Sequence, residues 1–120
     1  MAELAQVQAQ SHAQMWTWNN LTEADTDPKP VVGAARSDCT LRVSGTFNGG
    51  TVIFEGALQT KEENEAAPDW FPLNDIDGNP ISMTAAGTVV RRENVLLMRP
   101  RVTAGAGVDV TARVLLTGNR

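Results

Sequence analysis

One cysteine, one histidine and no tyrosine occur among the 120 residues of this chain, and its 10 basic side chains are outnumbered by 14 acidic ones. Each shortage removes a class of chemistry. A lone Cys39 rules out an internal disulfide and any site assembled from several thiolates. Proton-transfer catalysis most often uses His. The single His12 lies in an Ala/Gln-rich opening stretch where nothing would hold it in a fixed geometry, so the Ser-His-Asp and Cys-His nucleophile schemes lapse and no catalytic residue is expected. A net charge of −4 repels phosphate backbones, and no nucleic-acid partner is expected. The only basic clusters, Arg91 with Arg92 and Arg99 with Arg101, read as solvated strand faces or ion-pair partners. No run of about 18 apolar residues exists to span a bilayer, so no membrane partner is expected either. The first residues lack both the basic start and the continuous apolar stretch of a secretory signal, which points to synthesis and first use in the cytoplasm.

What is present describes a globular domain. The chain is 42% hydrophobic and 20% charged, and a single domain of this length buries roughly two thirds of its unfolded surface. Residues 1–14 form a distinct arm, weakly helical or extended, too poor in apolar residues to order without a partner or the body of the domain. From Met15 onward the pattern is that of strands. "MWTWNNL" puts Trp16 and Trp18 on one face, and "TEADTDPKP" follows as a polar loop. In "CTLRVSGTF" the residues Cys39, Leu41, Val43, Gly45 and Phe47 share a face, so Cys39 reads as a small buried apolar side chain. "SGTFNGGTVIFEG" carries Asn-Gly-Gly between two alternating runs, the signature of a tight hairpin, and it predicts that the strand holding Val52 and Phe54 returns beside its predecessor.

The charged "QTKEENEAAP" reads as a surface loop or a single helical turn. Short strands follow around "DWFPL" and "ISMTAAG". "VLLMRPRVT" sets Leu96 and Met98 against Leu97, Arg99 and Arg101, with Pro100 arguing for an edge or a bulge. A glycine turn, "AGAGVD", leads to "VDVTARVLLT", whose Val108, Val110, Ala112, Val114 and Leu116 alternate with polar or exposed positions. Seven or eight short strands with turn residues between them indicate an all-β fold, an antiparallel β-sandwich that is jelly-roll-like and carries an N-terminal arm; residues 15–120 form the sandwich. The expected core is Trp16, Trp18, Leu41, Val43, Phe47, Val52, Phe54, Trp70, Val110 and Val114.

Three stretches imitate binding motifs. "DIDGN" resembles the start of a calcium loop, but position 86 is Ala where such a loop places its bidentate Glu, so an Asp-Gly turn accounts for it. "AGAGVD" lacks the third glycine and the following helix of a phosphate cradle and reads as a hairpin turn. Trp16, Trp18 and Trp70 are the candidates for a sugar platform, yet with 5% aromatic residues the core needs them. No cofactor or metal is expected.

Taken together, "WTWNNLTEADTDPKP", "SDCTLRVSGTFNGGTVIFEGAL", "DWFPLNDIDGNPISMTAAG" and "LLMRPRVTAGAGVDVTARVLL" resemble a family of small virion structural proteins of tailed bacteriophages. That family runs from a Trp-containing strand and acidic loop through a V-x-G-T-F-G-G turn, a W-x-x-L-x-D-x-x-G-N strand and turn, and T-A-A-G, to a closing R-P-x-V-T-x-G pair of strands. The resemblance covers roughly Trp16 to Leu116. The chain departs from it in the longer "EGALQTKEENEAAPDW" and in the arm before Trp16.

The resemblance implies a head decoration, or cement, protein on the capsid exterior. Such a protein bridges neighbouring major-capsid subunits and associates with itself, as a trimer or else a dimer. Interface residues are then expected at Leu4, Val7, Met15, Arg99 and Arg101. A glycan-binding module of a virion fibre or tail and a head-tail neck structural protein are the alternatives; an unrecognised hydrolase is the remaining one.

Overall fold

The computed structural model describes residues 3–9, 14–32, 38–58 and 69–117; for residues 3–9 and Val32 the backbone alone is described. Ten strands occur among them: β1 Glu3–Ala9, β2 Gln14–Leu21, β3 Val31–Val32, β4 Asp38–Thr46, β5 Thr51–Ala57, β6 Phe71–Pro72, β7 Ser82–Met83, β8 Gly87–Val90, β9 Leu97–Ala104 and β10 Asp109–Thr117. They form two antiparallel sheets. The first has the order β1-β2-β10-β4-β8, and the second the order β3-β9-β5-β6, with β7 also pairing with β5. His12 and residues 59–68, with their expected loop or helical turn, lie outside the described residues. Within the arm, β1 runs antiparallel to β2, with Leu4 opposite Trp18 and a register shift between Gln6 and Gln8.

Strict alternation in β4 and β10 explains why the sheets face each other. Leu41, Val43, Val110, Ala112 and Val114 of the first sheet are buried in one cluster with Val52, Phe54, Met98 and Val102 of the second. Period-two burial leaves β4 and β10 with one wet face, whereas residues 54–57 of β5 and 97–100 of β9 are buried on both; stacking the two sheets removes their facing apolar sides from water. Trp18, Phe47 and Cys39 are buried in the same cluster, and Trp16 packs against it half-buried. Trp18 Nε1 donates to the Lys29 carbonyl at 2.8 Å, so the buried indole keeps its hydrogen bond.

The two glycine turns differ from the sequence expectation. Asn48 and Gly49 do adopt positive φ (49° and 79°), and Gly50 N–H closes the turn on the Phe47 carbonyl at 2.7 Å. Yet β5 does not pair with β4: β4 pairs with β10 and β8, and β5 with β9, β6 and β7. The turn is a corner between sheets. Gly45, at φ 122°, bends the end of β4; a Cβ there would sit 2.7 Å from the Asp109 carbonyl oxygen. "AGAGVD" is likewise a corner rather than a hairpin, because β9 belongs to the second sheet and β10 to the first. The two corners touch. Asn48 Nδ2 donates to the Ala106 carbonyl, and a Cβ on Gly105 would lie 2.5 Å from Gly50 Cα.

Pro100 sits in a central strand, and the register shows why this is tolerated. The Phe54 carbonyl, opposite Pro100, accepts from Leu73 N–H on its other side at 2.9 Å, so Phe54 and Pro100 form a pair without mutual hydrogen bonds. The proline nitrogen therefore points away from β5, where β3 reaches only Leu97 and Met98. No ladder bond is lost.

Candidate functional site

Two outer sheet faces carry the polar side chains that packing does not consume. On the second sheet, β5 and β9 place Glu55 directly opposite Arg99 and Ile53 opposite Arg101. Arg99 Nε donates to Glu55 Oε1 at 3.0 Å, and its Nη1 pairs with Asp27 Oδ1. Arg101 Nε lies 3.3 Å from Glu55 Oε2, within ion-pair range but not aligned for a hydrogen bond. The Arg99 guanidinium stacks on Trp70, 4.1 Å from the ring centroid.

This arrangement corrects two expectations. Arg99, expected at an interface, is 6% exposed and committed within the monomer. Trp70, expected in the core, is half-buried against the Arg99 guanidinium and outside the core cluster. The reason is electrostatic: a guanidinium on a covered sheet face needs a carboxylate beside it and is content with an aromatic ring above it. Arg101 is ion-paired to the same carboxylate and partly exposed. The cluster joins β5, β9, the loop after β2 and the segment before β6, which is a structural role.

The outer face of the first sheet is different. Register sets Thr17, Arg113, Arg42 and Thr88 in one cross-strand row, and Met15, Leu115, Thr40 and Val90 in the next. Arg42 and Arg113 stand directly opposite each other and both are exposed. Arg42 Nη1 donates to Thr88 Oγ1 at 2.9 Å, and neither arginine has an ion pair among the described residues. Like charges so placed repel, by about 0.7 kcal/mol at ~6 Å in water. Leu115 and Val90 are 38% and 37% exposed, and Met15 is half-buried beside Leu115. Of the expected interface residues, Met15 lies on this face; the side chains of Leu4 and Val7 lie outside the described residues.

Carboxylates elsewhere are spent on backbone groups. Glu23 accepts from the N–H groups of Gly107 and Val108 at 3.1 and 3.0 Å, pinning the corner between β9 and β10. Hydrogen bonds from backbone N–H groups, its own and those of Gly107 and Val108, hold its carboxyl below the ordinary value. Glu93 grips Asn74 through both the backbone N–H (2.8 Å) and the side-chain amide (2.7 Å). Burial opposes its ionisation, but these bonds, its own backbone and Arg92 outweigh it and lower its pKa. In "DIDGN", Asp75 Oδ1 accepts from Asp77 N–H and Asn79 N–H, both at 3.0 Å, which is the turn the sequence predicts.

Cys39 is buried, with Sγ 4.0 Å from Met98 Sδ. Burial pushes its thiol up to about 12, against the pull of the nearby Arg91 charge. Among the described residues no group of three His, Cys, Asp or Glu side chains converges as a metal site would require. No helix of the described residues is long and apolar enough to cross a membrane. The arginine pair was missed at the sequence level, because Arg42 and Arg113 lie 71 positions apart and only strand register brings them together. Comparison of the chain with protein-family models, with curated proteins and with solved structures finds no match.

Proposed function

We propose that this protein is a phage head decoration protein, seated on the capsid exterior after synthesis in the host cytoplasm, where it bridges and stabilises major-capsid subunits without catalysis. The observation that carries the reading is the open outer face of the first sheet. It bears exposed Leu115 and Val90 beside two arginines that have no ion pair among the described residues. The strand order supports it too. We read β2-β10-β4-β8 against β3-β9-β5-β6, with β1 added at one edge, as the double Greek key of a jelly roll, an architecture used in capsid and lectin domains. The motifs resembling phage virion proteins span the same strands.

Self-association as a trimer, or a dimer, belongs to this proposal. Binding the assembled shell and not its dissociated subunits stabilises it by mass action, about 2.7 kcal/mol at a hundredfold excess over Kd. The glycan-binding alternative finds less support: Trp18 is buried, one face of Trp70 is taken by Arg99 and Trp16 packs on the core. The test is co-sedimentation of purified protein with expanded bare heads. Stoichiometric binding with a raised head melting temperature supports the reading, and absence of association refutes it.

A further inference from the structure

We propose that the Arg42–Arg113 pair on the outer face of the first sheet is the docking point for a carboxylate-bearing segment of a partner protein. The inference rests on the reading that this chain docks on a protein shell, and it assigns the surface that does so.

Three observations converge on this surface. First, β4 and β10 hold the two guanidinium groups opposite each other in register, with no acidic side chain paired to either among the described residues. The two buried arginines described, Arg91 and Arg99, are by contrast engaged by neighbours. The described carboxylates on this face, Asp38 and Asp109, lie four residues along their strands from Arg42 and Arg113. Four residues of strand span about 13 Å, longer than the Debye length of about 8 Å at physiological salt. Among the described residues nothing compensates the repulsion, and an arriving carboxylate relieves it while accepting paired hydrogen bonds from a planar fork.

Second, Thr17 stands in the same row between Arg113 and Ala5 of β1; it is 2% exposed and its Oγ1 has no hydrogen-bond partner. A buried hydroxyl left unpaired carries an unrecovered desolvation cost, so unmet polar capacity lies next to Arg113 in the row.

Third, the adjacent row offers Met15, Leu115 and Val90. A partner that fits sets apolar side chains about one residue pair, ~7 Å, from its acidic ones. Charge excludes polyphosphates as the better match, since the chain as a whole carries −4 and repels a long anionic backbone that a short acidic segment does not present. Arginine beside exposed aliphatic side chains is the composition of a protein-protein contact.

The probe is a short fluorescently labelled peptide in which two glutamates are flanked by leucines, titrated by anisotropy against the full chain at low salt, where exposed charges are least screened. The wild type is expected to bind. The Arg42→Gln/Arg113→Gln variant is expected to bind at least about tenfold more weakly while melting no lower, because a repulsive pair has been removed. Equal binding by the variant overturns the proposal. So does displacement of the peptide by inorganic phosphate at equal charge concentration, which marks a general anion site. A wild-type oligomer in sedimentation velocity that the same variant dissolves identifies the occupant as a second copy, and also overturns it. With bare heads, wild-type binding that the variant retains in full refutes this docking surface but leaves the decoration reading intact; failure of the wild type to bind heads refutes that reading itself.

Discussion

Replacing Glu55 by Gln is the perturbation that best tests how the second sheet is held. The substitution keeps the shape of the side chain and removes the one carboxylate that serves both Arg99 and Arg101. Arg99 is then buried with a single anionic partner, Asp27, whose side chain is 89% exposed. Removing one member of a buried ion pair costs about 3 to 5 kcal/mol, because the surviving charge has lost its compensation. Unfolding entropy near 2.1 cal/mol/K per residue gives about 0.25 kcal/mol/K for 120 residues, or about 4 °C per kcal/mol. Glu55→Gln is therefore expected to lower Tm by about 12 °C or more, read by calorimetry at neutral pH.

Two companion variants make the reasoning refutable. Arg99→Met leaves Glu55 paired with Arg101 and releases Asp27 to water, so its cost is the lost stacking on Trp70 and the lost hydrogen bond, about 2 kcal/mol or 8 °C. Asp27→Asn removes only the exposed partner and is expected to cost no more than about 1 kcal/mol. If Asp27→Asn proves as damaging as Glu55→Gln, or Glu55→Gln leaves Tm unchanged, the desolvated carboxylate is not what organises this face.

Three further outcomes are expected. Glu23 and Glu93 both have folded-state pKa values below the ordinary 4.5, so the stability they contribute is present above that value and is lost as pH falls through the folded ones. Acid unfolding of Glu93→Gln and Glu23→Gln should accordingly show a shallower decline below about pH 4.5 than wild type; parallel curves would contradict the assignment. The Cys39 thiol, pushed up to about 12 and buried, should resist an aromatic disulfide reagent at mildly alkaline pH until denaturant is added; stoichiometric labelling of the native protein would show that the core opens there. Gly105→Ala places a Cβ 2.5 Å from Gly50 Cα at φ 106°, and should lower stability by more than about 2 kcal/mol in urea melts. Gly49→Ala, with nothing within 4 Å of its Cβ, should cost only the strain of positive φ, about 1 kcal/mol.

Alternation of side chains was enough to read β4 and β10 as half-buried strands, to choose the face that Leu41, Val43, Val110 and Val114 turn inward, and to place the tight turn at Asn48 and Gly49. These properties are local: a period of two, a positive φ and a small residue act within a few positions of chain. Partnership between strands is not local. The same Asn-Gly-Gly that makes a hairpin when its flanking strands share a sheet makes a corner when each flank finds a better face elsewhere. Here β4 lies between β10 and β8, while β5 lies between β9 and β6.

The two-residue β3 has no periodicity to read and exists because β9 offers hydrogen bonds, whereas β6 and β7 fall within "DWFPL" and "ISMTAAG", where short strands are expected. Charge followed the same division. The sequence by itself determined an all-β chain with few reactive groups and an acidic balance. Only the tertiary structure decided that Arg99 is buried against Glu55 while Arg42 and Arg113 share an open face, since the burial and pairing of a charge depend on residues that register brings beside it from far along the chain.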